Sequence, residues 1–236
     1  TIWKNAAWSL IWALNTLKNE RDEILIDGFY DDVAALTDSD MAFLNSIPYD
    51  EKTVLERMEM DGFVNDVTGV ELLKKLLYTP TCNICGIKSG YIEQGSKTVL
   101  PAYAAAKLDF RLVPNMTRER VVDLLRKHLD KHGFTDVEIV SMPGAPAYRT
   151  NPDNPLVQAA IAASEETYHI PPAIYPNSSG TMGVYHFCHD TGLPCVMYGV
   201  AHEFSQVHAP NENIYVEDFI LGIKMTASVI DKFSKA

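Results

Sequence analysis

No stretch of about eighteen consecutive apolar residues occurs in this chain, so the sequence offers no membrane-spanning helix. The opening Thr1-Ile2-Trp3-Lys4-Asn5 lacks the arrangement of a signal peptide. Basic residues are in deficit, with 20 Lys and Arg against 31 Asp and Glu and a net charge of -11. That balance provides no chain-wide basic footprint for nucleic acid or anionic lipid, and points to a small molecule or another protein as partner. Cysteine is scarce too: four in 236 residues cannot form a disulfide scaffold, which suggests a reducing, cytoplasmic setting. Cys82-Asn83-Ile84-Cys85 is the one tempting pair, but no second pair or nearby histidine completes a zinc site of four ligands, and it reads as structural. There is no Gly-x-Ser-x-Gly elbow, no internal repeat and no low-complexity tract. The chain also starts on Thr1 rather than Met, inside a segment already patterned as a helix, and a missing upstream part is expected.

What is present is a well-patterned globular sequence, 47% hydrophobic and able to fill a core. Trp3, Ala6, Ala7, Leu10, Ile11, Leu14 and Leu17 recur at helical spacing. Ile24–Tyr30 reads as a strand, and Thr37-Asp38-Ser39-Asp40 as a helix start of the N-cap type. Residues 38–77 read as several short helices with a solvated acidic face. From Pro80 the pattern turns to strands over 81–92 and 102–113, joined by a turn at Glu93-Gln94-Gly95-Ser96. In the second, Ala104, Ala106, Leu108, Phe110 and Leu112 share one face, and Tyr103, Lys107, Asp109 and Arg111 the other. Thr117 caps a helix bearing Val121, Val122, Leu124, Leu125 and Leu129, Gly133 ends it, and 137–140 adds a strand.

This first part predicts an α+β sandwich with a sheet covered on one side. Met142-Pro143-Gly144-Ala145-Pro146-Ala147 is the best linker. Beyond it, Asn154 and Pro155 open a helix to about Tyr168. Strands at 173–175 and 195–200, a helix to about 189 and a last helix over 217–233 follow, an α/β pattern.

Few residues carry recognisable chemistry. His208, in Val207-His208-Ala209-Pro210-Asn211-Glu212, follows an apolar strand at the place where α/β sheets bind ligands. It can be a metal ligand oriented by Glu212, or an exposed loop histidine, as can His202 in the same loop. A catalytic zinc needs three protein ligands, so His208 alone makes no site. Ser178-Ser179-Gly180-Thr181 precedes a helix, where backbone N–H groups can hold an oxyanion or merely be capped. Arg111 can pair with Asp109 or clamp a carboxylate with its two-pronged guanidinium.

Taken together, these residues resemble the second half of an M20-family metallopeptidase, the group of carnosinase-like dipeptidases and aminoacyl hydrolases. The resemblance runs through Asn83-Ile84-Cys85-Gly86-Ile87 with Ser89-Gly90-Tyr91, Gly95-Ser96-Lys97-Thr98-Val99-Leu100-Pro101, Lys107–Pro114 and His208–Glu212. It implies residues 1–144 as an α+β lid, a ferredoxin-like antiparallel sheet with helices that forms a homodimer. Residues 145–236 would be the C-terminal part of an α/β catalytic domain. It implies further that His208 binds one of two zinc ions, that Arg111 and Thr98 hold the carboxylate and carbonyl end of a dipeptide or N-acyl amino acid, and that Gly180 and Thr181 lie near the substrate. Ser179 stands where the family has a second glycine. The remaining zinc ligands, the bridging Asp, the general base Glu and a lid histidine belong, in the family, before Trp3. The chain alone is therefore expected to be inactive. The alternative is a non-enzymatic dimerisation or regulatory module built from an M20 lid.

Overall fold

The computed structural model describes residues 2–180 and 182–236. The chain divides into two compact units. The first contains the residues up to Asn45, Tyr49–Ala147 and the short piece from Asn177; the second contains Ser46–Pro48, Tyr148–Pro176 and Met182–Ala236.

In the first unit, helix α1 (Ala6–Asn15) starts later than its apolar periodicity because the Asn5 side chain caps it, accepting from the Ala7 N–H at 2.9 Å. Helices α2 (Asp38–Ser46), α3 (Glu51–Met58) and α4 (Gly69–Tyr78) fill the acidic stretch. The start of α2 is a reciprocal cap. The Asp40 N–H donates to Thr37 Oγ1 at 3.2 Å, and Asp40 Oδ2 accepts from the Thr37 N–H at 2.9 Å. Asp40 is only 2% exposed, and its other oxygen accepts from the Tyr78 hydroxyl at 2.9 Å, so this carboxylate ties α2 to α4.

Strands β1 (Thr81–Ser89) and β2 (Ala104–Arg111) pair antiparallel from Thr81 opposite Arg111 to Ser89 opposite Ala104. A bulge between Ile84 and Gly86 leaves Cys85 outside the register. Helix α5 (Arg118–Lys131) covers the sheet. Thr117 caps it, and the chain leaves it at Gly133 with φ +82°, a left-handed turn that glycine adopts without strain. Ala13, Leu17, Ile24, Ile26, Phe29, Cys82, Val121, Leu124, Leu125 and Leu129 form the core, with Leu108, Phe110 and Leu112 packed against it, as their shared face predicts.

The α+β class stands, but several expected strands do not form ladders among the described residues. Ile24 makes one isolated bridge with Lys18; then Gly28, at φ +75°, turns the chain, and the Phe29 N–H returns to the Ile26 carbonyl at 3.0 Å. Val137 loses its strand role to a side chain: the Arg126 guanidinium donates to the Val137 carbonyl, and to that of Phe134 at 2.9 Å.

In the second unit, α6 (Pro155–Tyr168), α7 (Val184–Cys188) and α8 (Val216–Phe233) are joined by irregular segments. Asn154 caps α6 with Pro155 at its first position, as read from the sequence. Ala160 and Ala163 of α6 pack on Met225 and Val229 of α8, and Val196 joins them. Gly222 permits a close approach: a Cβ there would lie 2.3 Å from Val200 Cγ1. The strands expected at 173–175 and 195–200 carry no ladder among the described residues. At the start of the second, the Cys195 N–H is satisfied by Thr150 Oγ1 at 2.9 Å rather than by a neighbouring strand.

Candidate functional site

Arg111 closes β2, shortly before the turn at Val113–Met116 that leads to α5. The two-residue repeat of a strand places it beside Asp109, and its Nε donates to Asp109 Oδ2 at 2.7 Å. Both side chains are partly exposed, 47% and 38%, so this is a solvent-facing ion pair. The pairing of Arg111 with Asp109 is thus realised.

Thr98 lies exposed in the long connection between β1 and β2. That connection is pinned at its ends, where Ser89 Oγ donates to the Tyr103 carbonyl at 2.8 Å, and within it, where the Tyr91 hydroxyl donates to the Gln94 carbonyl at 3.0 Å. Gly180 is exposed, and its N–H donates to Ser178 Oγ at 3.1 Å. This is a local serine turn, which takes up one N–H that an oxyanion site would use. Thr181 lies outside the described residues. Arg111, Thr98 and Gly180 belong to the first unit and His208 to the second.

The His208 loop is built around a buried serine. Ser205 is 1% exposed; its Oγ accepts from the His202 N–H at 2.8 Å, and its carbonyl accepts from the Asn213 N–H at 3.0 Å. The His202 ring stacks on Tyr215 with centroids 4.1 Å apart, and its Nδ1 accepts from the Phe204 N–H at 3.2 Å, which leaves the proton of the neutral ring on Nε2. His202 therefore braces the loop. Gln206, His208 and Asn211 all have positive φ, +51°, +65° and +64°, so this short run coils tightly. His208 is exposed on it, with its backbone N–H donating to Glu212 Oε2 at 3.3 Å. The contact of Glu212 is with the His208 backbone.

Among the described residues no group of three or more His, Cys, Asp or Glu side chains is arranged to hold a metal ion. His208 can donate one nitrogen, which falls short of the three protein ligands of a catalytic zinc. Cys82 and Cys85 do not form a site either: Cys82 is buried, with its thiol pushed up to about 11 by burial, while Cys85 is exposed. Two buried polar groups escaped the sequence reading. Asp40 was legible only as a cap, and His128, 3% exposed, sits in the apolar stripe of α5 with Nε2 3.0 Å from the Thr16 carbonyl. Its spacing from Val121, Leu124 and Leu125 is the signal that could have found it.

Comparison with known proteins extends this geometry. The chain is 26% identical to the Beta-Ala-His dipeptidase of Rattus norvegicus over 96% of its own length and 47% of that protein. It is 24% identical to the Cys-Gly metallodipeptidase of Schizosaccharomyces pombe over 95% of its length and 48% of that protein. It thus spans about half the length of the curated relatives it matches. Among solved structures it is similar to an M20 family metallo-carboxypeptidase from Sulfolobus solfataricus, with TM-score 0.93 and 33% identity, covering 100% of this chain and 54% of the other. Human carnosine dipeptidase 1 shares the fold, with TM-score 0.80, 24% identity and coverage of 100% and 50%. The family described as the M20 peptidase dimerisation domain matches residues 3–137, more than half of the chain, and the chain belongs to that family.

Proposed function

We propose that this chain is the lid and the C-terminal catalytic part of a metal-dependent peptidase that hydrolyses the amide bond of a dipeptide or N-acyl amino acid. The observation that carries this reading is similarity to metallodipeptidases along nearly the whole chain, 96% and 95% of it in two relatives. On this reading residues 1–144 are the lid and dimerisation domain, and 145–236 the catalytic portion. The family's dimerisation-domain description supports a homodimer through the lid. Arg111 binds the substrate's free carboxylate, relinquishing part of its hold on Asp109; Thr98, Gly180 and Thr181 line the substrate. His208 contributes one ligand to a metal, with zinc the metal proposed because imidazole suits it. The described residues by themselves do not fit a complete zinc centre, so no chemical step is assigned to this chain alone. No helix among the described residues is long and apolar enough to cross a membrane, and the four free cysteines support a cytoplasmic setting.

The test is made on the whole gene product. Arg111→Ala should raise KM for a dipeptide by about tenfold or more with bound metal unchanged, as loss of a charged contact predicts. His208→Ala should lower bound metal and activity together. Normal metal content in the His208 variant would contradict its role. One second reading, suited by the dimerisation-domain family match over residues 3–137, is a dimerisation or regulatory module without activity. Failure of the whole gene product to hydrolyse any dipeptide or N-acyl amino acid, with the dimer intact, would select it.

A further inference from the structure

Helix α1 carries two apolar stripes, and only one of them is used by the core. Ala13, Leu14 and Leu17, in α1 and the turn after it, face inward: Ala13 and Leu17 belong to the first unit's core and Leu14 packs against it. Trp8, Ile11, Trp12 and Asn15 follow the same three-and-four spacing on another side of the helix and are exposed. The three apolar ones are 54%, 44% and 56% exposed, and the Trp8 and Trp12 rings stack with centroids 5.8 Å apart. A helix that is apolar on both sides is normally covered on both. The outer stripe is also held in place at each end. Asn5 caps the first turn, the Ala6 N–H donates to the Pro101 carbonyl at 3.3 Å, and the Thr16 carbonyl lies 3.0 Å from Nε2 of buried His128.

We infer that the Trp8–Trp12 stripe of α1 is the face on which a second copy of this chain docks, stripe against stripe about a two-fold axis. It gives the homodimer proposed for the lid its central contact and depends on that reading. Two observations favour a second copy as the occupant. The match to the dimerisation-domain family spans residues 3–137 and so includes all of α1, whereas the exposed Phe219, Ile220 and Ile223 of α8 lie outside it. Charge points the same way. Each copy carries a net charge of -11, so two copies repel each other as wholes, yet no ionisable side chain lies between Lys4 and Lys18. The stripe is a neutral place where like-charged copies can meet. Tryptophan is the residue type in which interface energy concentrates, because the indole brings a large, rigid apolar area. In a two-fold contact both copies use the same patch, so each substitution enters the interface twice.

The purified chain is followed by analytical ultracentrifugation over a dilution series, with tryptophan emission recorded on the same samples. The chain's three tryptophans, Trp3, Trp8 and Trp12, all lie in its first twelve residues, so emission reports on this region alone. A dimer is expected whose dissociation on dilution shifts the emission to the red and makes it easier to quench with iodide. Trp8→Glu and Trp12→Glu should each raise the dimer dissociation constant at least about thirtyfold, as loss of an interface anchor predicts. Both side chains are more than half exposed, so these variants should keep the circular dichroism of the wild type. Trp12→Phe, which keeps an aromatic ring, should stay within about tenfold of the wild type. Ile223→Glu, on α8, should leave the dimer unchanged. A dimer that survives both Trp→Glu variants, is lost in Ile223→Glu, or dissociates with no change in emission would overturn this face and leave the homodimer reading standing. A wild-type chain that is monomeric throughout the series would overturn both.

Discussion

The two units of this chain solve the same problem to different degrees. In the first, β1 and β2 pair with each other, α5 packs on the pair, and a core cluster of eleven buried residues runs through the unit. In the second, a core cluster among the described residues holds Ala160, Ala163, Met225 and Val229, while Phe219, Ile220, Ile223 and Ile230 of α8 stay exposed and the 194–200 segment has no strand partner among the described residues. The chemistry divides likewise. The first unit has an ion-paired arginine at the end of β2, whereas the second has His208 exposed on a tightly coiled loop, and among the described residues no three His, Cys, Asp or Glu side chains are arranged to hold a metal.

The contrast can be broken most strongly at the first unit's core. Phe29 is 1% exposed, and Phe29→Ala should cost about 3–5 kcal/mol in urea unfolding. A loss below about 1 kcal/mol would deny that unit its core. Asp40→Ala should cost about 2–3 kcal/mol, because it strands the Thr37 N–H and the Tyr78 hydroxyl together. In the second unit, Ala163→Leu should cost about 1–3 kcal/mol by overpacking the α6–α8 contact, since Ala163 is 0% exposed. Hydrogen exchange should show faster amides in α6 and α8 of that variant, with β1, β2 and α5 unchanged; slowing or speeding of the sheet would mean that the units are not independent in stability.

The smallest effect is a pH dependence confined to the first unit. Burial, with His132 next in weight, lowers the His128 pKa below its ordinary 6.5. The folded unit therefore holds His128 neutral, while the unfolded chain takes up a proton below pH 6.5. This contribution is fully present above pH 6.5 and is lost as pH falls towards the lower folded value. His128→Gln should flatten the slope of stability in that window, and an unchanged slope would assign it to other groups.

Much of the first unit was legible because its signals are local. Thr117, the stripe from Val121 to Leu129 and Gly133 delimit α5 from sequence alone, and the alternation along 104–112 names the face that meets the core. Ile24–Tyr30 and 137–140 were misread because apolar alternation reports burial, not pairing; the turn at Gly28 and the Arg126 guanidinium take the backbone groups instead. At the candidate site, the Asp109–Arg111 pair followed from strand periodicity. The coiled backbone of 206–211 and the hold of Glu212 on the His208 N–H have no periodic signature and could not be read.

On the proposed function, the 236-residue chain binds metal through His208 but forms no complete metal centre by itself. Equilibrium dialysis of the purified 236-residue chain against zinc, with dipeptide hydrolysis assayed on the same sample, tests it directly. Weak, substoichiometric zinc, abolished by His208→Ala, and no hydrolysis are predicted; stoichiometric tightly bound zinc with turnover would contradict it.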